Sequence, residues 1–167
     1  RRRSGGILMA WPWHVMSVDR EKLVRLLEAT CRNSHHRYRL GAKPPLGSSA
    51  ADWTHADCSG YVRWLMHHIA RGGTDIPDGS WHQEDWCRSH NFKPTDYSHC
   101  ELEDDRLRIA FIRPGGRVRI GHVWLVVNSR TIESYGGHGP GRRSWDVKAL
   151  RDRVSQCYVL TEPMHRE

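Results

Sequence analysis

Residues 121–127 (Gly-His-Val-Trp-Leu-Val-Val) constrain the fold most, because nearly every side chain is apolar and several are β-branched. This pattern is typical of a strand that is covered on both faces. Residues 128–130 read as a turn and residues 131–135 as a returning strand, which together predict a hairpin. A last strand is predicted at residues 157–160, so this part of the chain should build a small antiparallel sheet.

Two amphipathic helices are predicted ahead of that sheet. The first begins at Ser17 or Asp19 and runs to about Arg32. Its apolar stripe consists of Leu23, Leu26, Leu27 and Thr30. The second runs from near Asp57 to the Gly72-Gly73 pair, which is a good C-terminal stop. Its stripe consists of Val62, Leu65, Met66 and Ile69. Because the helices precede the strands, we expect an α+β fold and not a parallel α/β fold.

The segments between these elements are less regular. Residues 32–56 contain Gly, Pro and Ser and are predicted to form a loop. Residues 74–101 are polar, with a short helix expected around Trp81 and Trp86. Residues 136–141 form a glycine-rich loop, and residues 145–153 are expected to hold a short helix.

The length of 167 residues fits one domain, which we assign to residues 17–167. Residues 1–16 are assigned to an N-terminal extension or a cloning remnant, with Met9 a candidate start, and they do not read as a signal peptide. No apolar run approaches the ~20 residues that span a bilayer, so the chain is not expected to be integral to a membrane.

Charge and cysteine content limit the partners. Lys plus Arg is 26 and Asp plus Glu is 19, for a net charge of +7, which attracts polyanions such as nucleic acid, an anionic membrane surface or a bacterial wall. The arginines are scattered and form no stripe, so no nucleic-acid partner is expected. The five cysteines include no C-x-x-C pair, which excludes a zinc ribbon or a thioredoxin motif.

The segment Asp57-Cys58-Ser59-Gly60-Tyr61-Val62 is the strongest local feature. It places Cys58 in the first turn of a helix, where free backbone N–H groups and the helix dipole favour the thiolate and can receive an oxyanion. Cys58 also lies on the apolar stripe, so a sheet packed there can present a base to it. The alternative is an inert buried cysteine.

His122 opens the apolar strand and is either a packed core residue or a base. A cysteine at a helix start with a histidine on a later strand is the arrangement of papain-like thiol hydrolases. The segments at 57–62, at 121–123 (Gly-His-Val) and at 38–41 (Tyr-Arg-Leu-Gly) resemble the NlpC/p60 family of papain-like cysteine peptidases. Residues 113–116 resemble the Pro-Gly-Asp step of that family, with Gly116 where Asp is usual.

The resemblance implies a papain-like fold in which helices pack on a small antiparallel sheet. It implies that Cys58 is the nucleophile, that His122 is the base, and that Tyr38 sits near the thiol and the oxyanion, with Ser59 beside them. It implies cleavage of peptidoglycan stem peptides, with the bond between γ-linked D-glutamate and the diamino acid suspected. No cofactor and no metal are implied.

Strand geometry tests the third member of the site, which in the family is usually His, Asn or Gln. If Asn128-Ser129 is a two-residue turn, Val127 faces Arg130, and Glu133 becomes the diagonal neighbour of His122 on one face. A three-residue loop would present Ser134 instead. Asp57 is expected to brace the helix start.

Several other residues have two readings. A zinc site can be drawn from Cys87, His90, His99 and Cys100, but their spacing matches no known site, and a Cys87–Cys100 disulfide is the alternative. Four tryptophans can either line a groove or fill the core: Trp53, Trp81, Trp86 and Trp145. Arg142 and Arg143 are candidates to hold stem-peptide carboxylates.

Together these features predict a thiol hydrolase acting on the bacterial cell wall, in the periplasm or outside the cell. Delivery by a phage or a secretion system would fit the missing signal peptide, and an effector would have an inhibitory immunity protein as partner. Two alternatives remain: an acyltransferase or transglutaminase-like use of the same Cys–His pair, and a non-catalytic basic wall-binding module.

Overall fold

A computed structural model describes residues 12–31, 33–115 and 120–164. The helices are α1 (Arg20–Thr30), α2 (Cys58–Ile69), α3 (Ser80–Ser89) and α4 (Lys148–Arg151). The strands are β1 (Arg37–Tyr38), β2 (His55–Ala56), β3 (Lys93–Thr95), β4 (Arg108–Ile112), β5 (His122–Val127), β6 (Arg130–Tyr135), β7 (Gly139–Gly141) and β8 (Gln156–Val159). The α+β class and the small antiparallel sheet are confirmed.

The main sheet has the strand order β3-β8-β4-β5-β6-β7, and every neighbouring pair in it is antiparallel. The sequence analysis missed β4, although every residue of that strand is buried. The strand begins with Arg108, and a charged residue at this position does not indicate a core strand. Its guanidinium donates to both carboxylate oxygens of Asp104 at 3.0 Å. The sequence analysis placed strands only at residues 121–160, whereas β3 and β4 precede residue 121 and β8 inserts between β3 and β4.

The helix α2 packs on one face of the sheet and carries the main core. Its Tyr61, Val62, Trp64, Leu65 and Met66 have no exposed surface. A smaller apolar cluster, which includes Trp124, Val126 and Leu150, covers the other face. This two-sided burial explains why residues 121–127 read as a continuous apolar run.

The ends of the helices differ slightly from the prediction. Asp19 caps α1 by accepting a hydrogen bond from Lys22 N at 3.0 Å, and the helix ends at Thr30. Asp57 caps α2, which ends at Ile69, before the predicted glycine pair. Gly72 and Gly73 adopt positive φ values of 78° and 83° in the turn that follows.

The predicted loop 32–56 contains the short parallel pair β1–β2, in which Tyr38 lies opposite Ala56. Residues 12–16, assigned on sequence to an extension, lie along the domain: His14 N donates to Asn91 O at 2.9 Å, and Met16 N to Leu160 O at 2.7 Å. Residues 1–11 and Gly116 are outside the described residues, so the readings of Met9 and of the Pro-Gly-Asp step stay predictions. Across the described ranges, no helix combines the length and apolarity needed to cross a bilayer.

Candidate active site

Cys58 is the first residue of α2, and a buried carboxylate fixes this helix start. Asp57 Oδ1 accepts a hydrogen bond from Gly60 N at 2.7 Å, as a helix cap does. Its Oδ2 accepts from Gly41 N at 3.1 Å and forms an ion pair with Lys43 Nζ at 2.7 Å. Asp57 therefore braces the helix start, as expected, and also ties it to the segment that follows β1.

The glycines of the two sequence motifs are required by close packing. A Cβ atom at Gly60 would lie 2.8 Å from Ala42 O, and one at Gly121 would lie 2.9 Å from Ile112 O. Both distances are shorter than real Cβ contacts. These glycines let the start of α2 and the start of β5 approach their neighbours, which positions Cys58 and His122.

His122 is the first residue of β5, with 18% of its side chain exposed. Its Nε2 lies 2.9 Å from Glu133 Oε1. The imidazole also interacts electrostatically with Cys58, which places the thiol close to the ring, and Nδ1 is the ring nitrogen that Glu133 does not occupy. The ring stacks on Trp124, with centroids 5.3 Å apart and planes inclined by 23°. The structure thus brings Cys58, His122 and Glu133 together in one row.

The register of the β5–β6 hairpin places Glu133 in this row. Val127 pairs with Arg130, and the two turn residues Asn128 and Ser129 have φ values of 51° and 61°, so the predicted two-residue turn is confirmed. Glu133 then shares a face with His122 and is fully buried. Ser134 points the other way and donates to Ala56 O at 2.8 Å.

The charges in the row support one another. Burial lowers the pKa of His122, but hydrogen bonds to Cys58 and Glu133 outweigh it and raise the pKa from 6.5 to about 9. Burial raises the pKa of Glu133, but hydrogen bonds from His122 and Arg143 outweigh it and lower the pKa from 4.5 to about 2. Near neutral pH the row therefore contains an imidazolium next to an ionised carboxylate.

Arg143 is the residue that the sequence analysis did not assign to the row. Its Nη2 donates to Glu133 Oε1 at 2.7 Å, and its Nε to Glu133 Oε2 at 3.0 Å. A buried strand carboxylate needs a nearby cation, and this signal could have pointed to the arginine pair at 142–143, although it does not distinguish the two residues.

The remaining predicted site residues occupy different positions. Burial raises the pKa of Tyr38, and the charges of Cys58 and Asp57 raise it further, which puts Tyr38 beside the start of α2. The Ser59 hydroxyl is buried and bonds to Lys43 Nζ at 2.7 Å. Arg142 donates to Thr131 O and to Val127 O, and Val127 lies at the opposite end of β5 from His122. Arg142 is thus not brought to Cys58.

Comparison with known proteins rests on the fold. No family model matches the sequence, and no curated protein matches it. Among solved structures, the chain is similar to a protein of the NLP/P60 family, described as similar to a lipoprotein, from Staphylococcus aureus subsp. aureus Mu50. The TM-score is 0.57 at 15% identity, over 93% of this chain and 46% of that chain. The chain has the NLP/P60 fold. It spans less than half the length of that neighbour.

The structure distinguishes between the alternative roles suggested for the cysteines and the tryptophans. Within residues 12–31, 33–115 and 120–164, no three metal-ligating side chains form a group, and no disulfide joins any of the five cysteines. Cys100 packs with Cys157 in the smaller apolar cluster, so the suggested Cys87–Cys100 disulfide is not formed. Trp53 and Trp86 are core residues, whereas Trp81 is 57% exposed.

Proposed function

We propose that the protein is a thiol hydrolase that cleaves amide bonds in the stem peptides of bacterial peptidoglycan. The observation that carries this proposal is the row Cys58–His122–Glu133, in which a thiol at a helix start meets an imidazole held by a buried carboxylate. The NLP/P60 fold supports the same chemistry.

The geometry suits nucleophilic catalysis through an acyl-enzyme. Cys58 Sγ attacks the carbonyl carbon of the substrate while His122 carries the thiol proton as an imidazolium. The oxyanion is received by the backbone N–H of Cys58 at the start of α2 and by the hydroxyl of Tyr38. His122 then protonates the leaving amine as the C–N bond breaks.

The second half of the reaction uses the same groups in reverse. The neutral imidazole of His122 takes a proton from water, the hydroxide adds to the thioester, and Sγ leaves as a thiolate. Glu133 accepts a hydrogen bond from Nε2 throughout, which keeps Nδ1 directed at Cys58 and stabilises the imidazolium. Cys58, His122 and Glu133 can complete this catalytic cycle without changing their positions.

The proposed substrate fits the charge of the protein. A net charge of +7 draws the protein to the carboxylates and phosphates of a bacterial wall. Within the stem peptide, the bond between γ-linked D-glutamate and the diamino acid is the one suggested by the family resemblance. Action at the wall, in the periplasm or outside the cell, and an immunity protein in the producing cell belong to the same proposal.

Digestion of purified sacculi tests the proposal directly. The full-length protein should release stem-peptide fragments whose new termini, identified by mass spectrometry, name the bond. Cys58→Ala should lower the rate by on the order of 10⁴-fold or more, because the nucleophile is lost. Cys31→Ala is the matched control and should keep the rate, since Cys31 bonds to Tyr61 on another part of α2. Retained turnover in Cys58→Ala would refute the assignment.

One observation favours acyl transfer as a second candidate. The large exposed apolar side chains include Leu40, Trp81 and Ile120, and each is near the row in sequence or in space. Leu40 and Ile120 are two residues from Tyr38 and His122, and Trp81 follows Ser80, whose Oγ approaches Gly121. An apolar rim suits a lipid acyl group. Mass spectrometry that finds an acyl group transferred to an amine, and no hydrolysed stem peptide, would select this reaction.

A further inference from the structure

We infer that Arg143 is a positioning residue, whose guanidinium keeps Glu133 ionised and directs its carboxylate at His122. The inference rests on the proposed function, because it concerns the same Cys58–His122 pair. It extends the row of three residues to four, with a permanent cation beyond Glu133.

The geometry of the Arg143–Glu133 contact supports this role. The guanidinium donates to both carboxylate oxygens, at 2.7 and 3.0 Å, and so fixes the plane of the carboxylate. Oε1 is also the oxygen that lies 2.9 Å from His122 Nε2. One carboxylate oxygen thus joins the cation to the imidazole.

Arg143 is itself held in place by β6. Its backbone N donates to Thr131 Oγ1 at 2.7 Å, and its carbonyl accepts from Thr131 N at 2.8 Å. The guanidinium lies over the ring of Tyr135, 4.1 Å from the centroid, as in a cation–π contact. Because the residue is tied on two sides, its charge is aimed at Glu133 before any substrate binds.

The surroundings of Glu133 make the cation necessary. The carboxylate is fully buried, and a buried charge without a partner of opposite sign is strongly unfavourable. Tyr97 bonds to Trp145 O and Trp124 Nε1 and offers no charge. The titratable and charged groups around the Glu133–His122 contact are His122 of β5, Cys58 of α2, Tyr97 before β4, Tyr135 of β6 and Arg143 after β7.

The contact with Arg143 matters when the pH is low enough to protonate Glu133. If Glu133 takes up a proton, it no longer stabilises the His122 imidazolium that stands next to Cys58. Arg143 opposes that protonation, in keeping with the low pKa of Glu133 of about 2. Arg143 therefore keeps the carboxylate support of His122 in place under more acid conditions.

The test is the rate at which iodoacetamide alkylates Cys58 as a function of pH, read by peptide mass spectrometry on the full-length protein. On the acid side of this profile, the acid limb, the alkylation rate falls as the pH is lowered. In Arg143→Met this fall should occur at a pH higher by about one unit or more, since a nearby cation shifts a carboxyl pKa by that amount. In Arg143→Lys, which keeps a point charge, the shift should be smaller. Arg142→Met is the control and should leave the limb in place.

A double variant shows whether Arg143 acts through Glu133. The profile of Arg143→Met in the Glu133→Gln background should match that of Glu133→Gln alone. An unmoved limb in Arg143→Met, with a rate reduced equally at all pH values, would show a merely structural role and overturn the inference. So would a shift that persists without the carboxylate. If Arg143→Met fails to fold, Arg143→Gln, which keeps one hydrogen bond but no charge, must show the upward shift.

The same measurement separates this inference from the proposed function. If Cys58 of the unmodified protein reacts no faster than the other four cysteines, the Cys58–His122 pair is not activated and both fail. If Cys58 is activated and the Arg143 variants leave the limb unmoved, only the role of Arg143 fails.

Discussion

The two buried carboxylates of the site, Asp57 and Glu133, are each paired with a cation but do different work. Asp57 pairs with Lys43 and accepts hydrogen bonds from the backbone N–H groups of Gly41 and Gly60, and more weakly from the Ser59 hydroxyl at 3.3 Å. Glu133 bonds instead to the side chains of His122 and Arg143. The first carboxylate organises the chain around Cys58, and the second organises charge around His122. The partner of a buried acid, more than its burial, indicates whether it supports the fold or the chemistry.

Replacing Glu133 should have the largest effect that separates the two carboxylates. Glu133→Gln keeps the shape of the side chain but removes the charge that stabilises the imidazolium. We expect kcat/KM to fall by on the order of 10² to 10⁴-fold, while the far-UV circular dichroism spectrum stays unchanged. Activity within a factor of a few of the unmodified protein would show that Glu133 is a packing residue like Asp57.

Replacing Asp57 should lower the stability of the protein more than its activity. Asp57→Ala removes the cap of α2, which is worth about 0.5–2 kcal/mol of unfolding free energy. It also removes one of the two carboxylates that Lys43 contacts, the other being Asp78. Urea unfolding should show the loss, and Asp57→Asn, which still caps a helix, should recover part of it. If Asp57→Ala is as stable as the unmodified protein, the bracing role is wrong.

The pH dependence of stability should follow the Glu133 side of the site. The pKa of Glu133 is lowered from 4.5 to about 2, so its contribution is present above pH 4.5 and is lost as the pH falls toward 2. The pKa of His122 is raised from 6.5 to about 9, so its contribution is present below pH 6.5 and is lost as the pH rises through 9. From these groups, the urea midpoint should be highest between pH 4.5 and 6.5.

The variant Glu133→Gln checks this assignment of the pH dependence. It should flatten the profile on the acid side, and on the alkaline side as well, because part of the His122 shift comes from Glu133. An unchanged profile would mean that other groups set the pH dependence. Asp57→Asn should leave the shape of the profile nearly intact.

The elements with strong local signals were readily predicted from the sequence. Capping residues and apolar periodicity located α1 and α2, and the apolar run with its two-residue turn located β5, β6 and their register. The strand β4 was missed because it begins with a charged residue, Arg108. The pairing of Arg108 with Asp104 can be seen only in the three-dimensional structure. Arg142 and Arg143 were put forward together because two adjacent arginines in a loop carry no sequence signal of which one points inward.

By itself, the sequence determined the fold class, the helix start that presents Cys58, and the strand that begins with His122. It did so because capping, close glycine packing and strand alternation act over a few residues. Only the tertiary structure decided that Arg143 completes the row, that Arg142 turns to the main chain, and that β8 lies between β3 and β4. These choices depend on contacts between residues far apart in the chain, whose energies come from burial and charge pairing that no local pattern records.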